Sequence, residues 1–234
     1  MFLSKQYNKF LIIASHPDDE IIGCGGTLVK LAKLKKNIQI VFLSDCAGAR
    51  FKKDSTQYNK HLSIRKNSAL KVCEFLKIKP PIFYDFPNIS YGVNDFYEIS
   101  TKLFNLINKN KYDLVFTHSY SDNNRDHRMA FEAALSACRP VNKFNSTSLI
   151  TFETNSATDY SVSQFKQKFN PNFFVDITNE IDKKLILLKL YKYELRKFPH
   201  SRSVENIKNL AKVRGSSVYT NFAEAFEIIR LKND

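Results

Sequence analysis

Short apolar runs alternate with segments of helical periodicity along the first 150 residues of this 234-residue chain. The apolar runs predict five buried strands, at 10–14, 38–43, 82–84, 114–117 and 149–152. The segments between them predict four helices, at about 23–35, 60–76, 95–108 and 128–137. This alternation predicts an α/β fold, with a Rossmann-like, mostly parallel sheet and helices on both of its faces.

The C-terminal third of the chain has a different pattern. It predicts a strand at 173–176, a helix at 181–197, a break at "FPHSRS" (198–203), a second helix at 204–213 and a final strand at 225–231. We expect the final strand to lie on a sheet edge. We expect these elements to be additions to the same unit, so that residues 1–234 form a single domain.

Composition limits the classes of protein to which the chain can belong. A hydrophobic fraction of 43% is enough for a sizeable core and excludes a disordered chain. The N-terminal apolar run is too short for a signal peptide, and no apolar run reaches the 18 residues of a membrane span. We therefore expect a soluble cytoplasmic protein.

The four cysteines and the positive charge also bear on function. Cys24, Cys46, Cys73 and Cys138 form no CxxC pair, so we expect small core residues in a reducing compartment, without disulfides or a cysteine-zinc site. The net charge is +13, and the arginines cluster near the polar motifs. Arginine suits forked contacts with carboxylate or phosphate, and no basic stripe with interleaved aromatic residues is present. A small anionic ligand is therefore favoured over nucleic acid, and a homo-oligomer stays open.

Four polar clusters follow the first four predicted strands. They are "SHPDDE" (15–20), "SDCAGAR" (44–50), "DFPN" (85–88) and "THSYSDNNRDHR" (117–128). Open α/β sheets bind their ligands at the carboxyl ends of the strands. We therefore expect the four loops to converge on one functional site.

The acidic run in the first cluster suggests a bound cation, because neighbouring carboxylates repel one another. His16 and Asp19 can point at one centre, and His127 is the natural third ligand. Two histidines and one carboxylate leave the fourth position of a zinc ion open, as in catalytic sites. Asp18 would then be the general base, and Glu20 would orient a ligand or cap a helix. The alternative interpretation is a helix N-cap made by Asp18 or Asp19.

The strings "ASHPDDEIIGCGGTL" and "HSxxDxNxDHR" resemble the LmbE-like, or PIG-L, family of zinc-dependent N-acetylglucosaminyl deacetylases. "EAALSACRP" and "SDCAGAR" are similar to family segments, and "NPNFFVDIT", "YKYELRKFPHSRS" and "VRGSSVYTNFAEAF" resemble its C-terminal part. The resemblance implies one Zn²⁺ per chain on His16, Asp19 and His127, with Asp18 as catalytic base. It also implies hydrolysis of an N-acetyl group.

The sequence departs from the family pattern at Asn124, where many members have a histidine that stabilises the oxyanion or acts as an acid. Asparagine can donate a hydrogen bond but cannot deliver a proton. His200 and Arg202 in "PHSRS" are the candidates that could replace this group in catalysis, together with His118. The loop "DFPNISYGVND" (85–95) is also looser than the family pattern at this point.

These observations predict a zinc-dependent N-deacetylase of an amino sugar in glycan or surface polysaccharide synthesis. Arg50 and Arg65 are predicted to bind an anionic part of the substrate, such as a nucleotide diphosphate, and Asn124 is a further substrate-binding candidate. Arg65 could instead be an ordinary helix-surface charge. Three alternatives stay open: a non-enzymatic receiver-like switch domain, a metal hydrolase of another bond, and a family member that binds glycan without turnover.

Overall fold

The computed structural model describes residues 7–88, 92–141, 147–162 and 168–232. Within these ranges the strands are β1 (Lys9–Ala14), β2 (Asn37–Ser44), β3 (Ile82–Phe86), β4 (Leu114–His118), β5 (Ser148–Phe152), β6 (Phe173–Asp176) and β7 (Ala223–Arg230). The helices are α1 (Asp19–Lys33), α2 (Thr56–Leu76), α3 (Val93–Asn110), α4 (Arg125–Ala137), α5 (Ile181–Leu190) and α6 (Val204–Ser216).

The strands form one sheet in the order β3-β2-β1-β4-β5-β7-β6. Strands β1 to β5 are parallel to one another, and β7 is antiparallel to both β5 and β6. The predicted α/β fold with a mostly parallel sheet is therefore confirmed.

The predicted position of the final strand is wrong. Strand β7 lies between β5 and β6 rather than on an edge. Phe226 of β7 is completely buried and packs on Phe116 of β4 and Phe173 of β6, so the strand needs a neighbour on each side. The edge is taken by the four-residue strand β6, and a short strand at an edge limits unwanted pairing with other chains.

Alternating side chains of the central strand enter two separate cores. Phe10 and Ile12 of β1 join a core covered by α1, α2, α5 and α6, while Leu11 and Ile13 join a core covered by α3 and α4. Successive residues of a strand point to opposite faces, and a strand buried on both faces reads as a continuous apolar run. Helices therefore lie on both faces of the sheet, as predicted.

Local signals set several helix boundaries. Helix α2 begins at Thr56 because Ser55 Oγ accepts a hydrogen bond from the Tyr58 amide at 3.2 Å. Helix α5 ends at Leu190 and not near residue 197 as predicted, and a turn follows it. All four cysteines are buried and free, in line with the prediction. No helix among the described residues is long and apolar enough to cross a membrane.

Candidate active site

The loops after β1 and β4 lie side by side at the carboxyl edge of the sheet, because these two strands are neighbours. The strand order reverses here, since β2 and β3 lie on one side of β1 while β4 and β5 lie on the other. Such a switch point is where open α/β sheets bind ligands. Ser15 ties the two loops together: its Oγ donates to the backbone oxygen of Asp126, and its amide donates to His118 Nε2, both at 3.0 Å.

His16, Asp19 and His127 bring three potential metal-ligand atoms together. His16 Nδ1 and His127 Nε2 lie 3.1 and 3.3 Å from Asp19 Oδ2, and the two nitrogens are 3.4 Å apart. Ligands bound to zinc at about 2.0–2.1 Å in a tetrahedron lie about 3.3 Å from one another. Asp19 is completely buried, and its Oδ1, the carboxylate oxygen outside this triangle, has no hydrogen-bond partner among the described residues, so a buried charge is left for a cation to neutralise. These three side chains therefore fit a divalent cation.

Each histidine of this triangle has its second ring nitrogen beside a carboxylate. His16 Nε2 lies 3.0 Å from Asp126 Oδ2, and His127 Nδ1 lies 3.0 Å from Asp122 Oδ2. Asp122 is held in turn by Thr158, whose Oγ1 donates to its Oδ2 at 3.0 Å. Carboxylates in such positions fix the tautomer and orientation of histidines that ligate a metal. These carboxylates therefore orient the rings of His16 and His127 for a single metal centre.

The buried carboxylates make this centre electrostatically suited to a cation. Burial lowers the pKa of His127, but the charges of Asp122 and Asp19 outweigh it and raise the pKa to about 10. Burial lowers the pKa of His118 to about 3, so this ring is neutral. It stacks on His127 with ring centroids 3.8 Å apart. The Nε2 of His118 accepts the Ser15 amide, so this residue makes a structural hydrogen bond.

Asp18 lies beside the triangle with its carboxylate between two guanidinium groups. Arg65 Nη2 is 2.8 Å from Oδ1, and Arg202 Nη1 is 3.2 Å from Oδ2. The residue has a φ of 138°, which is strained for a side chain other than glycine and typical of functional positions. Burial raises the pKa of Asp18 to about 6, against the opposing effect of Arg65 and Arg202. A carboxyl group with such a pKa can accept and return a proton near neutral pH.

Arg50 and Arg65, the predicted anion-binding residues, are both paired with carboxylates of the chain. Arg50 makes a forked contact with Glu194, with Nη1–Oε1 at 3.0 Å and Nη2–Oε2 at 2.8 Å. Arg65 is 5% exposed, so it is not a helix-surface charge, and its Nη2 also donates to the backbone oxygen of Pro17 at 2.8 Å. Arg65 therefore holds Asp18 in place. Substrate binding by these two arginines stays a prediction.

The "PHSRS" segment brings Arg202 to the site but not His200. The Ser156 amide donates to Ser201 Oγ at 3.1 Å, and Arg202 Nε donates to Ser156 Oγ at 3.0 Å. His200 is exposed, and its Nδ1 accepts the Arg202 amide at 3.0 Å. Because its described contacts stay within residues 197–206, the geometry does not support the catalytic role predicted for His200.

Asn124 has a structural role that the sequence analysis did not predict. Its Oδ1 accepts a hydrogen bond from the Asp126 amide at 2.9 Å, and α4 begins at the next residue, Arg125. An asparagine in this position satisfies one of the free amides at a helix N-terminus. The side-chain oxygen of Asn124 is thus used by the helix, and the predicted contact of this residue with substrate stays a prediction.

The loop after β3 also reaches the site. Asn88 Oδ1 lies 3.3 Å from His16 Nε2, on the same ring nitrogen that faces Asp126. Part of the "DFPNISYGVND" segment, residues 89–91, lies outside the described residues. Loops after β1, β3 and β4 therefore meet at this edge, which agrees with the prediction for three of the four loops.

Comparison with protein families gives one match to the N-terminal half of the chain. The model described as PIG-L, GlcNAc-PI de-N-acetylase, matches residues 11–138. This range runs from β1 to the end of α4 and includes His16, Asp18, Asp19 and His127.

Solved structures share the fold over nearly the whole chain. The N,N'-diacetylchitobiose deacetylase from Pyrococcus horikoshii has a TM-score of 0.76 and 20% identity, over 96% of this chain and 85% of that one. The A40926 pseudoaglycone deacetylase Dbv21 has a TM-score of 0.75 and 15% identity, over 97% and 100%. GalB, a 4-carboxy-2-hydroxymuconate hydratase from Pseudomonas putida KT2440, has a TM-score of 0.74 and 18% identity, over 97% and 99%. At these identities the likeness establishes the fold.

Proposed function

The chain belongs to the PIG-L family of de-N-acetylases, and on that basis we propose that it is a metal-dependent hydrolase that removes the N-acetyl group from an amino sugar. The fold alone does not select this reaction, because GalB has the same fold and is a hydratase. The family match and the arrangement of the site residues support the proposal. The cation is proposed to be zinc, one per chain.

The observation that carries the proposal is the position of Asp18 relative to the triangle of His16, Asp19 and His127. Asp18 precedes Asp19 directly, yet its carboxylate contacts two arginines and not the three ligand atoms. Two carboxylates in one turn therefore have separate environments, one suited to a cation and one suited to proton transfer. A hydrolase that activates water beside a metal needs this division of roles.

A divalent cation held by His16, Asp19 and His127 supplies Lewis-acid activation of water and of the acetamide carbonyl. Asp18 accepts a proton from the attacking water as the new carbon–oxygen bond forms. Asp18 then returns this proton to the amide nitrogen as the carbon–nitrogen bond breaks, which gives acetate and a free amine. One carboxyl group thus serves as base and as acid, so no histidine is needed at position 124.

Arg202 is proposed to assist the reaction by donating to the carbonyl oxygen, where negative charge develops. Its Nη1 already lies 3.2 Å from Asp18 Oδ2, and its Nε is fixed on Ser156. A guanidinium offers several donors in one plane, so it can contact Asp18 and a substrate oxygen together. A fixed donor to an oxyanion accounts for about 10²–10³-fold in turnover.

The substrate is proposed to be an N-acetylated amino sugar, free or nucleotide-linked, used in glycan or surface polysaccharide synthesis. The family is described by its action on GlcNAc-PI, and two proteins with this fold are deacetylases of N,N'-diacetylchitobiose and of the A40926 pseudoaglycone. The net charge of +13 favours a substrate with an anionic part. Four buried free cysteines agree with a reaction in the reducing cytoplasm.

An acetate-release assay over a panel of substrates tests this proposal. The panel contains N-acetylated monosaccharides, N-acetylated disaccharides and uridine diphosphate-linked N-acetyl sugars, each incubated with zinc-loaded and chelator-treated protein. We expect acetate and an equal amount of free amine from at least one class, and no acetate after metal removal. A protein that holds stoichiometric zinc but releases acetate from none of these classes would contradict the proposal.

A further inference from the structure

Helix α1, which carries the site carboxylates at its start, is broken near its middle. Cys24 has a φ of −142° and a ψ of 23°, outside the helical range. The α-helical hydrogen bond across this break would join the Gly26 amide to the Ile22 carbonyl, four residues earlier. The break therefore separates a short first turn, which begins beside Asp18, from the longer second part of the helix.

A buried ion pair contacts both sides of this break. Lys184 Nζ donates to the Ile22 carbonyl at 2.8 Å and lies 2.7 Å from Glu224 Oε1. Glu224 in turn accepts from the Gly26 amide at 2.8 Å and from the Thr27 amide at 2.7 Å. The Ile22 carbonyl and the Gly26 amide, which would bond to each other in a continuous helix, are thus bonded to Lys184 and Glu224 instead.

The polarity of the pair matches the two helix ends that it contacts. The ammonium of Lys184 meets a carbonyl at the C-terminal end of the first turn, and the carboxylate of Glu224 meets amides at the N-terminal end of the second part. Cations at helix C-termini and anions at helix N-termini are both stabilising. The two residues are 3% and 4% exposed, so water does not weaken these contacts.

Glycines in "GCGGT" (23–27) permit this close approach. A Cβ atom on Gly25 would lie 3.3 Å from Lys184 Cγ, and one on Gly26 would lie 2.8 Å from atoms of Ile177. Real Cβ atoms do not approach other side chains to 2.8 Å, so α5 and the chain before it could not pack so closely on α1 with larger residues here. The glycine-rich string after the acidic run therefore serves the contact with the ion pair.

We propose that the Lys184–Glu224 pair positions the first turn of α1, and so holds Asp18 and Asp19 in the geometry that the site requires. The positioning would affect catalysis only if the proposed function is correct, so in this respect the proposal rests on that function. A turn of five residues is too short to be stable by itself, because helix nucleation is unfavourable. Its C-terminal end is fixed by Lys184, which reaches it from α5, and Lys184 is fixed by Glu224 of β7. Lys184 and Glu224 are positioning residues, not catalytic ones.

Replacement of Lys184 tests the proposal, with a matched control at Glu180, the N-cap residue of the same helix. Glu180 is 3% exposed and pairs with Lys33 Nζ at 2.6 Å, at the other end of α1. Zinc affinity is measured by competition with a chromogenic chelator in Lys184→Met, Glu224→Gln and Glu180→Gln. We expect the first two variants to lose about 10–100-fold in zinc affinity, the usual effect of removing a group that supports metal ligands. Glu180→Gln should lose stability but keep wild-type affinity.

Hydrogen exchange provides a second measurement that needs neither metal nor substrate. We expect faster amide exchange in residues 19–27 of Glu224→Gln, with unchanged exchange in β4, and no such local change in Glu180→Gln. Glu224→Gln is nearly isosteric, so it serves if Lys184→Met does not fold. Wild-type zinc affinity and wild-type exchange in residues 19–27 would overturn the proposal. Altered exchange in a protein that releases no acetate would leave this proposal standing and contradict the proposed function.

Discussion

Arg202 and Asp18 are 184 positions apart in the sequence, and Arg202 Nη1 lies 3.2 Å from Asp18 Oδ2. The N-terminal motif thus depends on the C-terminal segment for one of the two guanidinium groups around its proposed base. Arg65 supplies the other from α2. The proposed active site therefore includes a residue outside the range that matches the family, which ends at residue 138.

Replacement of Arg202 by alanine should lower turnover by about 10²-fold while zinc content stays at the wild-type level, because a donor to the developing oxyanion is lost. Arg202→Lys should recover part of the loss, since it keeps the charge but not the planar fork. His200→Ala is the matched control on the same segment and should turn over at the wild-type rate. Equal rates in Arg202→Ala and wild type would exclude the proposed donor.

Asn124→Ala should lower the free energy of unfolding by about 1 kcal/mol, because the N-cap of α4 is removed. Asn124→Ser should restore most of this stability, since a serine oxygen can also accept the helix amide. Denaturant unfolding of the three proteins measures the effect. A KM that is raised equally in both variants would show a substrate contact through the amide group, and an unfolding free energy unchanged in Asn124→Ala would contradict the capping role.

Asp122→Asn should weaken zinc binding by about 10–100-fold, because the carboxylate that holds His127 Nδ1 becomes a neutral amide. Asp45→Asn is a suitable control, since Asp45 is also a buried loop aspartate but accepts from Tyr58 Oη at 3.0 Å and not from a proposed ligand. Chelator competition on both variants gives the affinities. If Asp122→Asn binds zinc as tightly as wild type, the Asp122 carboxylate does not support His127 as a metal ligand.

Glu194→Gln should destabilise the protein at neutral pH by about 1–2 kcal/mol, because the buried Arg65 and the exposed Arg50 both lose a carboxylate partner and water screens the Arg50 pair. Burial raises the pKa of Glu194, but these two arginines outweigh it and lower the pKa to about 2. A lowered pKa in the folded protein gives stability that is present above the unfolded pKa of 4.5 and is lost as the pH falls towards about 2. The difference in stability between wild type and variant should therefore narrow below pH 4.5. If the difference in unfolding free energy between wild type and variant stays constant down to the lowest pH at which both proteins fold, this ion-pair role is contradicted.

The sequence was sufficient to predict the parallel part of the fold and the grouping of the proposed metal ligands. Strands buried on both faces appear as continuous apolar runs, and the carboxyl ends of parallel strands meet at one edge. His16 and His127 could therefore be placed together from the order of elements alone. Asp122 and Asp126 were not singled out, although the repeated aspartates in "DNNRDHR" offered a signal.

Contacts that depend on the packing of distant elements could not be predicted. The end of α5 is an example, since apolar residues continue to Leu195 at helical spacing. The chain leaves the helix at Leu190, where Tyr191 can donate to Glu20 Oε1 at 2.6 Å and Glu194 can reach Arg50. Local periodicity contains no information about such partners. The predicted edge position of β7 was wrong for the same reason, because the neighbours of this strand are determined by packing across the sheet.

The most direct test of whether this site hydrolyses an acetamide is an acetate-release assay. It compares the zinc-loaded protein with its Asp18→Asn variant, and the metal content of both is measured. Asparagine keeps the size of the side chain but cannot accept the proton of water. We predict that both proteins hold equal zinc, that the wild type releases acetate and free amine in equal amounts, and that the variant is slower by about 10²–10⁴-fold. Equal rates in the two zinc-loaded proteins, or loss of zinc from the variant, would contradict the role of Asp18 as the base beside the metal.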